Sequence, residues 1–250
     1  MTNNLSQIKS QLFEHYKFRI EMHAHTNPTS PCSEAKPKDL IKIYSKLGYS
    51  AVCITNHFIS YLFSDIDIFK NLTKEQKIDR YLADFKEAYE EGQRLGINVI
   101  LGCEVRFAGS DNDYLIYGVD RELLLKMYDY VDDTVESFRK NIPMPDSVFI
   151  QAHPFRNSCT PTNPTLLDGI EAYNTHIGHN QKKPLAVRFA EENNIGIRIC
   201  GSDFHHPNTG NEGSSALRTK ILPKDTFELA ALLKSKDYII DIAGYDIILP

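Results

Sequence analysis

Apolar runs of strand length alternate with longer amphipathic stretches along almost the whole chain. The strand-like runs fall at 17–25, 51–57, 98–107, 113–119, 148–153, 169–174 and 197–203, with a further one at 217–222. Between them lie segments whose apolar residues recur every three or four positions. Residues 37–48 and 74–96 predict helices that end on Gly48 and Gly96, good C-cap positions. Thr73 and Gln76 have the spacing of a capping box for the second of these. Further helices are predicted over 121–130, 182–194 and 225–236. This alternation is that of βα units around a parallel sheet or barrel. No repeat, low-complexity tract or linker interrupts 1–250, so the expected fold class is α/β, a single barrel domain. Two long connections, 58–72 and 154–168, follow strands, where functional loops tend to lie.

Composition narrows the function classes. The 250 residues are enough for a sizeable core, and a formal charge of -5 with a pI near 6.0 gives no general basic surface for tight nonspecific nucleic-acid binding. The N-terminus lacks an apolar h-region, and no stretch approaches the roughly 18 apolar residues of a membrane span. A soluble, cytoplasmic chain without a membrane partner is expected. The five cysteines form no CxxC pair, and Cys53, Cys103 and Cys200 lie in apolar runs where a thiol acts as a small hydrophobe.

The metal-type residues gather at strand ends. His23 and His25 close the first run, His57 the second, Glu104 lies near the end of the third, His153 ends 148–153, and Asp203 with His205 ends 197–203. In a parallel barrel these ends open onto one face. The i,i+2 spacing of His23 and His25, repeated at Asp203 and His205, puts each pair on one side of an extended backbone. A lone histidine at a strand end is more often a packed one, but here the pattern runs across five strands. Imidazole with carboxylate suits Zn, Mn or Fe, and the donors exceed what one tetrahedral ion takes, so two or three divalent transition metal ions sharing carboxylates are expected. Such clusters supply hydroxide near neutral pH and hold attacking and leaving oxygens, which is hydrolase chemistry.

In order, the motifs EMHAHT, ITNHF, GCEVRF, QAHPFR and GSDFH resemble those of the PHP superfamily, named for its polymerase and histidinol phosphatase domains. The resemblance spans about residues 20 to 206 and implies a distorted (β/α)7 barrel. It carries metal-ligand roles onto His23, His25, His57, Glu104, His153, Asp203 and His205, with Glu104 bridging and Asp203, Glu104 and His205 at the reaction centre. Asn56 stands where Asp is usual. A further family histidine in the strand after the glutamate is replaced by Asp113, which the resemblance makes a third-metal ligand; the alternative is a strand-start Asp capping a turn. After the first motif, where members have another His or Asp, this chain reads Ser30, Pro31, Cys32 and Glu34. Cys32 or Glu34 could take that ligand's place, but each is read first as a loop residue, which favours two ions over three.

A phosphoester needs cationic donors beside the metals, and the arginine fork matches phosphate oxygens. Arg106, two residues past Glu104, and Arg156, three past His153, are the candidate anion binders, against the alternative of solvated surface arginines. His179 and Asn180 begin another loop on that face, with Glu171 and Asn174 shaping it. The Gly-rich segment 206–215 lacks the pattern of a nucleotide loop. The family resemblance thus implies a phosphoesterase acting on a small phosphorylated substrate, with short nucleic acid as a less favoured partner and histidinol phosphate or a nucleotide among the candidates. Amide or lactone hydrolysis in a similar barrel, and a metal-binding regulatory domain without turnover, are the competing readings. The sequence shows no polymerase-like extension, so a proofreading accessory role is not expected.

Overall fold

The computed structural model describes residues 2–242 and 246–248. In chain order the strands are β1 (Phe18–Ala24), β2 (Ala51–Ile54), β3 (His57–Phe58), β4 (Asn98–Leu101), β5 (Cys103–Arg106), β6 (Asp113–Tyr117), β7 (Val148–Gln151), β8 (Gly169–Asn174), β9 (Ile197–Gly201), β10 (Ser215–Thr219), β11 (Tyr238–Ile242) and β12 (Asp246–Ile248). The helices are α1 (Thr2–His15), α2 (Pro37–Lys46), α3 (Ser60–Asp65), α4 (Lys74–Leu95), α5 (Arg121–Tyr128), α6 (Val135–Asn141), α7 (Lys183–Glu192) and α8 (Thr226–Ser235). No helix among the described residues is long and apolar enough to cross a membrane.

The strands form two six-stranded sheets, ordered β12-β11-β10-β1-β2-β4 and β3-β5-β6-β7-β8-β9, and no ladder closes them into a ring among the described residues. Two of the predicted strands break in the middle and change sheets. The run 51–57 pauses at Thr55 and Asn56 between β2 and β3, and 98–107 pauses at Gly102 between β4 and β5. A Cβ at Gly102 would lie 2.9 Å from Thr55 Cγ2, so the two breaks pack against each other only because position 102 is glycine. Elsewhere the sheets are joined by a parallel bridge between Ala24 and Phe204.

Pairing is mixed where the sequence predicts a parallel arrangement. β6 runs antiparallel to both β5 and β7, while β7, β8 and β9 are parallel. The reversal matters for the site. Because β6 is antiparallel to β5, its first residue, Asp113, pairs with Arg106 near the end of β5 and so reaches the same mouth as the strand ends.

The predicted caps are present. Thr73 and Gln76 form a reciprocal capping box on α4, and Gly96 ends that helix with φ 70° in the left-handed region. Sequence periodicity missed α1, α3, α6, β11 and β12. α3 is only six residues, and β11 and β12 extend the first sheet as antiparallel strands beyond the βα pattern. Cys53, Cys103 and Cys200 are buried, as expected, and burial pushes each thiol up.

Candidate metal centre

Seven of the side chains singled out from the sequence meet at one point. His23 Nε2 and His25 Nε2 lie 3.1 Å apart, both side chains fully buried. Glu104 stands against them with one oxygen for each side: Oε1 is 3.2 Å from His23 Nε2 and 3.1 Å from His153 Nε2, while Oε2 is 3.3 Å from His25 Nε2 and 2.9 Å from His57 Nδ1. Asp203 Oδ1 is 3.4 Å from both His23 Nε2 and His25 Nε2. His205 Nδ1 lies 2.8 Å from the Asp203 carbonyl.

The local backbone explains the convergence. The β1 strand delivers His23, and His25 follows it, anchored where its N–H donates to the Phe204 carbonyl at 2.9 Å and Phe204 N–H donates back to His23 at 3.1 Å. Asp203 and His153 both have positive φ, 51° and 29°, conformations that L side chains rarely adopt. Both residues carry side chains into the cluster, which is where such backbone strain tends to be kept.

The donor set fits divalent cations. Glu104 Oε2 and His57 Nδ1 are buried and have no hydrogen-bond partner. Lone-pair atoms facing one another at about 3 Å repel unless a proton or a metal ion sits between them. Potential ligands fall into four overlapping groups, His25 with His57 and His205, His23 with His25 and Glu104, His23 with His153 and Asp203, and His57 with Glu104 and Asp113, the ligand atoms in each lying within 4.8 Å of one another.

The electrostatics without a metal show how strong the demand is. Burial alone would raise the Glu104 carboxyl, but His23 and His57 hold it well below the usual range; Asp203 is depressed in the same way, by His23, His25 and His205. Burial lowers the imidazoles, yet the carboxylates and neighbouring thiols override it. His23 is raised well above its ordinary value through Glu171, Glu104 and Asp203, and His57 and His153 are each raised to about 10.

Asp113 is fully buried but is held by arginines. Arg106 donates Nε and Nη2 to its two oxygens, each at 2.7 Å, and Arg156 Nη2 lies 3.3 Å from Oδ2. The Arg156 Nη1 also reaches Asp203 Oδ2 at 3.2 Å. Both predicted anion binders therefore stand at the cluster, clamped on carboxylates. His179 lies with them on a cavity of about 210 Å³ that Arg106, Arg156, Asn157 and Cys159 also line. It stacks on His176 at 4.9 Å, and burial pulls His176 down to about 4, so that ring is neutral near pH 7.

Several supporting residues escaped the sequence reading. Glu171, noted there only as shaping the mouth, hydrogen-bonds His23 Nδ1 at 2.9 Å. Asn56, in place of the usual aspartate, accepts from Thr26 N–H at 2.7 Å and from Ser30 Oγ at 3.0 Å, and Ser30 Oγ stands 3.3 Å from His25 Nδ1. Asp84, on α4, ties the same loop through Thr26 and Thr29. Cys32, read as a loop residue, is exposed but stands beside the centre: burial pushes its thiol up, yet hydrogen bonding to His205 and His57 brings it down to about 6. Glu34 lies further out, 3.6 Å from His206. A long-range contact such as Cys32 with His57 leaves no trace in local spacing.

The PHP domain model matches residues 21–167. The protein "DNA polymerase III PolC-type" of Latilactobacillus sakei subsp. sakei (strain 23K) is 27% identical over 119 residues, which are 48% of this chain and 7% of that one. The chain thus spans only a small part of that relative's length. Among solved structures, a two-domain protein from Bacteroides vulgatus ATCC 8482, described as containing a predicted PHP-like metal-dependent phosphoesterase, superposes with a TM-score of 0.61 at 18% identity, covering 89% of this chain and 64% of that one. PsfC from Pseudomonas syringae PB-5123 gives 0.54 at 15% identity, covering 86% and 88%. At these identities the structures bear on the fold alone. The match over 21–167, taken with the motif residues gathered around Glu104, establishes that the chain belongs to the PHP domain family.

Proposed function

We propose that the protein is a metal-dependent hydrolase of phosphate esters, acting through two divalent ions of the Zn, Mn or Fe class held around Glu104. The observation that carries this reading is the division of Glu104, one oxygen toward His23 and His153 and the other toward His25 and His57. Ions held by these residues would supply a nucleophile near neutral pH and stabilise charge on the attacking and leaving oxygens.

The chain's own residues supply the rest. His23, His25, His57, Glu104, His153, Asp203 and His205 hold the ions. Asp113 accepts from Arg106 and Arg156, and with His57 and Glu104 it also offers a ligand set for a third ion. The Arg156 guanidinium spans Asp113 and Asp203 and keeps donors free for nonbridging phosphate oxygens; Arg106 and His179 line the mouth beside it. A cavity of about 210 Å³ suits a small phosphorylated molecule better than a nucleic-acid strand. The parallel bridge from Ala24 to Phe204 and the runs 51–57 and 98–107 that pass from one sheet into the other support reading residues 1–250 as one distorted (β/α)7-type barrel.

The test is a panel of phosphorylated metabolites with amides and lactones alongside, assayed after chelation and again after adding Mn or Zn. Phosphate release that appears only with metal, and that free phosphate inhibits, is expected. Turnover of an amide or lactone but no ester would favour the other hydrolase chemistry; a fully metallated chain with no turnover would make it a regulatory domain.

A further inference from the structure

We infer that a run of one-way hydrogen bonds from Asp84 through Thr26, Asn56 and Ser30 fixes the proton of the His25 ring on Nδ1, and that this run requires an amide at position 56, where aspartate is usual. Its link to a metal ion rests on the reading of the cluster as a metal centre; the run itself does not.

His25, Thr26, Ser30, Asn56 and Asp84 are all buried, so their polar atoms find partners among one another rather than in water. The Asp84 carboxylate, on α4, can only accept, and Arg80 Nη1 stands 3.3 Å from its Oδ1. The Thr26 hydroxyl donates to Asp84 Oδ2 at 3.1 Å, and the Thr29 N–H donates to the same oxygen at 3.0 Å. With its one proton so placed, Thr26 Oγ1 accepts from Asn56 Nδ2 at 2.8 Å. The amide cannot be reversed, because Asn56 Oδ1 accepts the Thr26 backbone N–H at 2.7 Å and an NH₂ group there would meet donor with donor.

Ser30 then donates to Asn56 Oδ1 at 3.0 Å. That leaves Ser30 Oγ with lone pairs only, facing the His57 backbone N–H at 3.0 Å and His25 Nδ1 at 3.3 Å. The proton of His25 therefore belongs on Nδ1, and the Nε2 lone pair turns toward His23 Nε2 and Glu104 Oε2, 3.1 and 3.3 Å away. Asp84 thus sets the tautomer of a ring that it does not touch. It acts, with Thr26, Asn56 and Ser30, as a positioning residue.

An aspartate at 56 would keep the acceptor for Thr26 N–H and Ser30 but would put a second carboxylate oxygen where Nδ2 now stands, 2.8 Å from Thr26 Oγ1. That hydroxyl has one proton, and Asp84 already takes it. Two buried carboxylates would then compete for one donor, and the loser would be left unpaired away from water. Asn56 is matched to Asp84 for this reason.

The experiment compares the full chain with Asn56→Asp, Asp84→Asn and the double variant, by thermal melting of the metal-free proteins and by zinc titration against a competing chelator. Asn56→Asp is expected to melt several degrees below the parent and to bind zinc about tenfold more weakly. In the double variant a single carboxylate again faces the Thr26 hydroxyl. It should melt above Asn56→Asp and bind zinc within about threefold of the parent, a departure from additivity that marks direct coupling. If Asn56→Asp yields no folded chain, a cooperative melt restored by adding Asp84→Asn supports the pairing, and its absence overturns it. Nitrogen-15 NMR of the histidine-labelled, zinc-loaded parent should show the His25 proton on Nδ1. An Asn56→Asp chain as stable as the parent, losses that simply add in the double variant, or a His25 proton on Nε2 would overturn the inference. Chains that bind no zinc but keep the melting pattern would count against the metal centre while supporting the run of hydrogen bonds.

Discussion

Replacing Glu104 with Gln is expected to lower turnover of a phosphate ester by on the order of 10³-fold, a loss of several kcal/mol of transition-state stabilisation. The side chain keeps its shape, but one of the two oxygens becomes an NH₂ donor. Whichever way it turns, that donor points at ring nitrogens about 3 Å away, His23 and His153 on one side or His25 and His57 on the other. The bridge among the surrounding donors is then broken. The variant should still fold, because the surrounding shell of Glu171, Asn56, Ser30 and Asp84 does not depend on Glu104 for its hydrogen bonds. Kinetics alongside thermal melting check this. A folded Glu104→Gln within tenfold of the parent, with its full metal content, would be incompatible with a bridging role.

The second large effect is on pH. In the metal-free protein His57 and His153 are raised to about 10, against 6.5 in the unfolded chain. Their contribution to stability is therefore complete below about pH 6.5 and disappears as pH rises through 10. Glu104 and Asp203 are depressed, so their contribution is present above the ordinary carboxylate range and is lost as pH falls through their lowered values. Metal binding has to displace the protons on His23, His57 and His153. Each displaced proton makes affinity rise about tenfold per pH unit while pH stays below the ring's value, so three give roughly a thousandfold per unit. The melting-temperature gap between zinc-loaded and metal-free protein should accordingly widen from pH 6.5 toward 9, with about three protons released per chain on loading near pH 7.5. A gap that stays constant across that range, or no proton release in calorimetry with buffers of different ionisation enthalpy, would contradict the raised imidazoles.

Much of the cluster was legible in the sequence because the side chains that gather there sit at the ends of strands whose alternation is strong. Two-residue spacing at His23 and His25, and at Asp203 and His205, survives folding because it is local. What failed to show was whatever depends on the sheets crossing. The breaks at Thr55 and Gly102 hide inside continuous apolar runs, since a strand that changes sheets keeps its composition. The antiparallel turn of β6 is likewise silent, yet it decides that Asp113, a strand-start residue, reaches the mouth and meets Arg106. Cys32 lies seven residues beyond His25 in a loop, and only the folding of that loop, pinned where Ser33 Oγ donates to the His25 and His205 carbonyls at 3.0 and 2.9 Å, places it at the ring pair. Glu171 could be noticed as polar in an apolar run, but its partner is 148 residues away.

An anomalous difference map from crystals of the full chain grown with Mn²⁺ tests the metal centre most directly. Two peaks are expected within coordinating distance of the Glu104 carboxylate, bounded between them by His23, His25, His57, His153, Asp203 and His205. No peak within coordinating distance of Glu104, in crystals whose solution protein binds manganese, would contradict a centre organised around that residue.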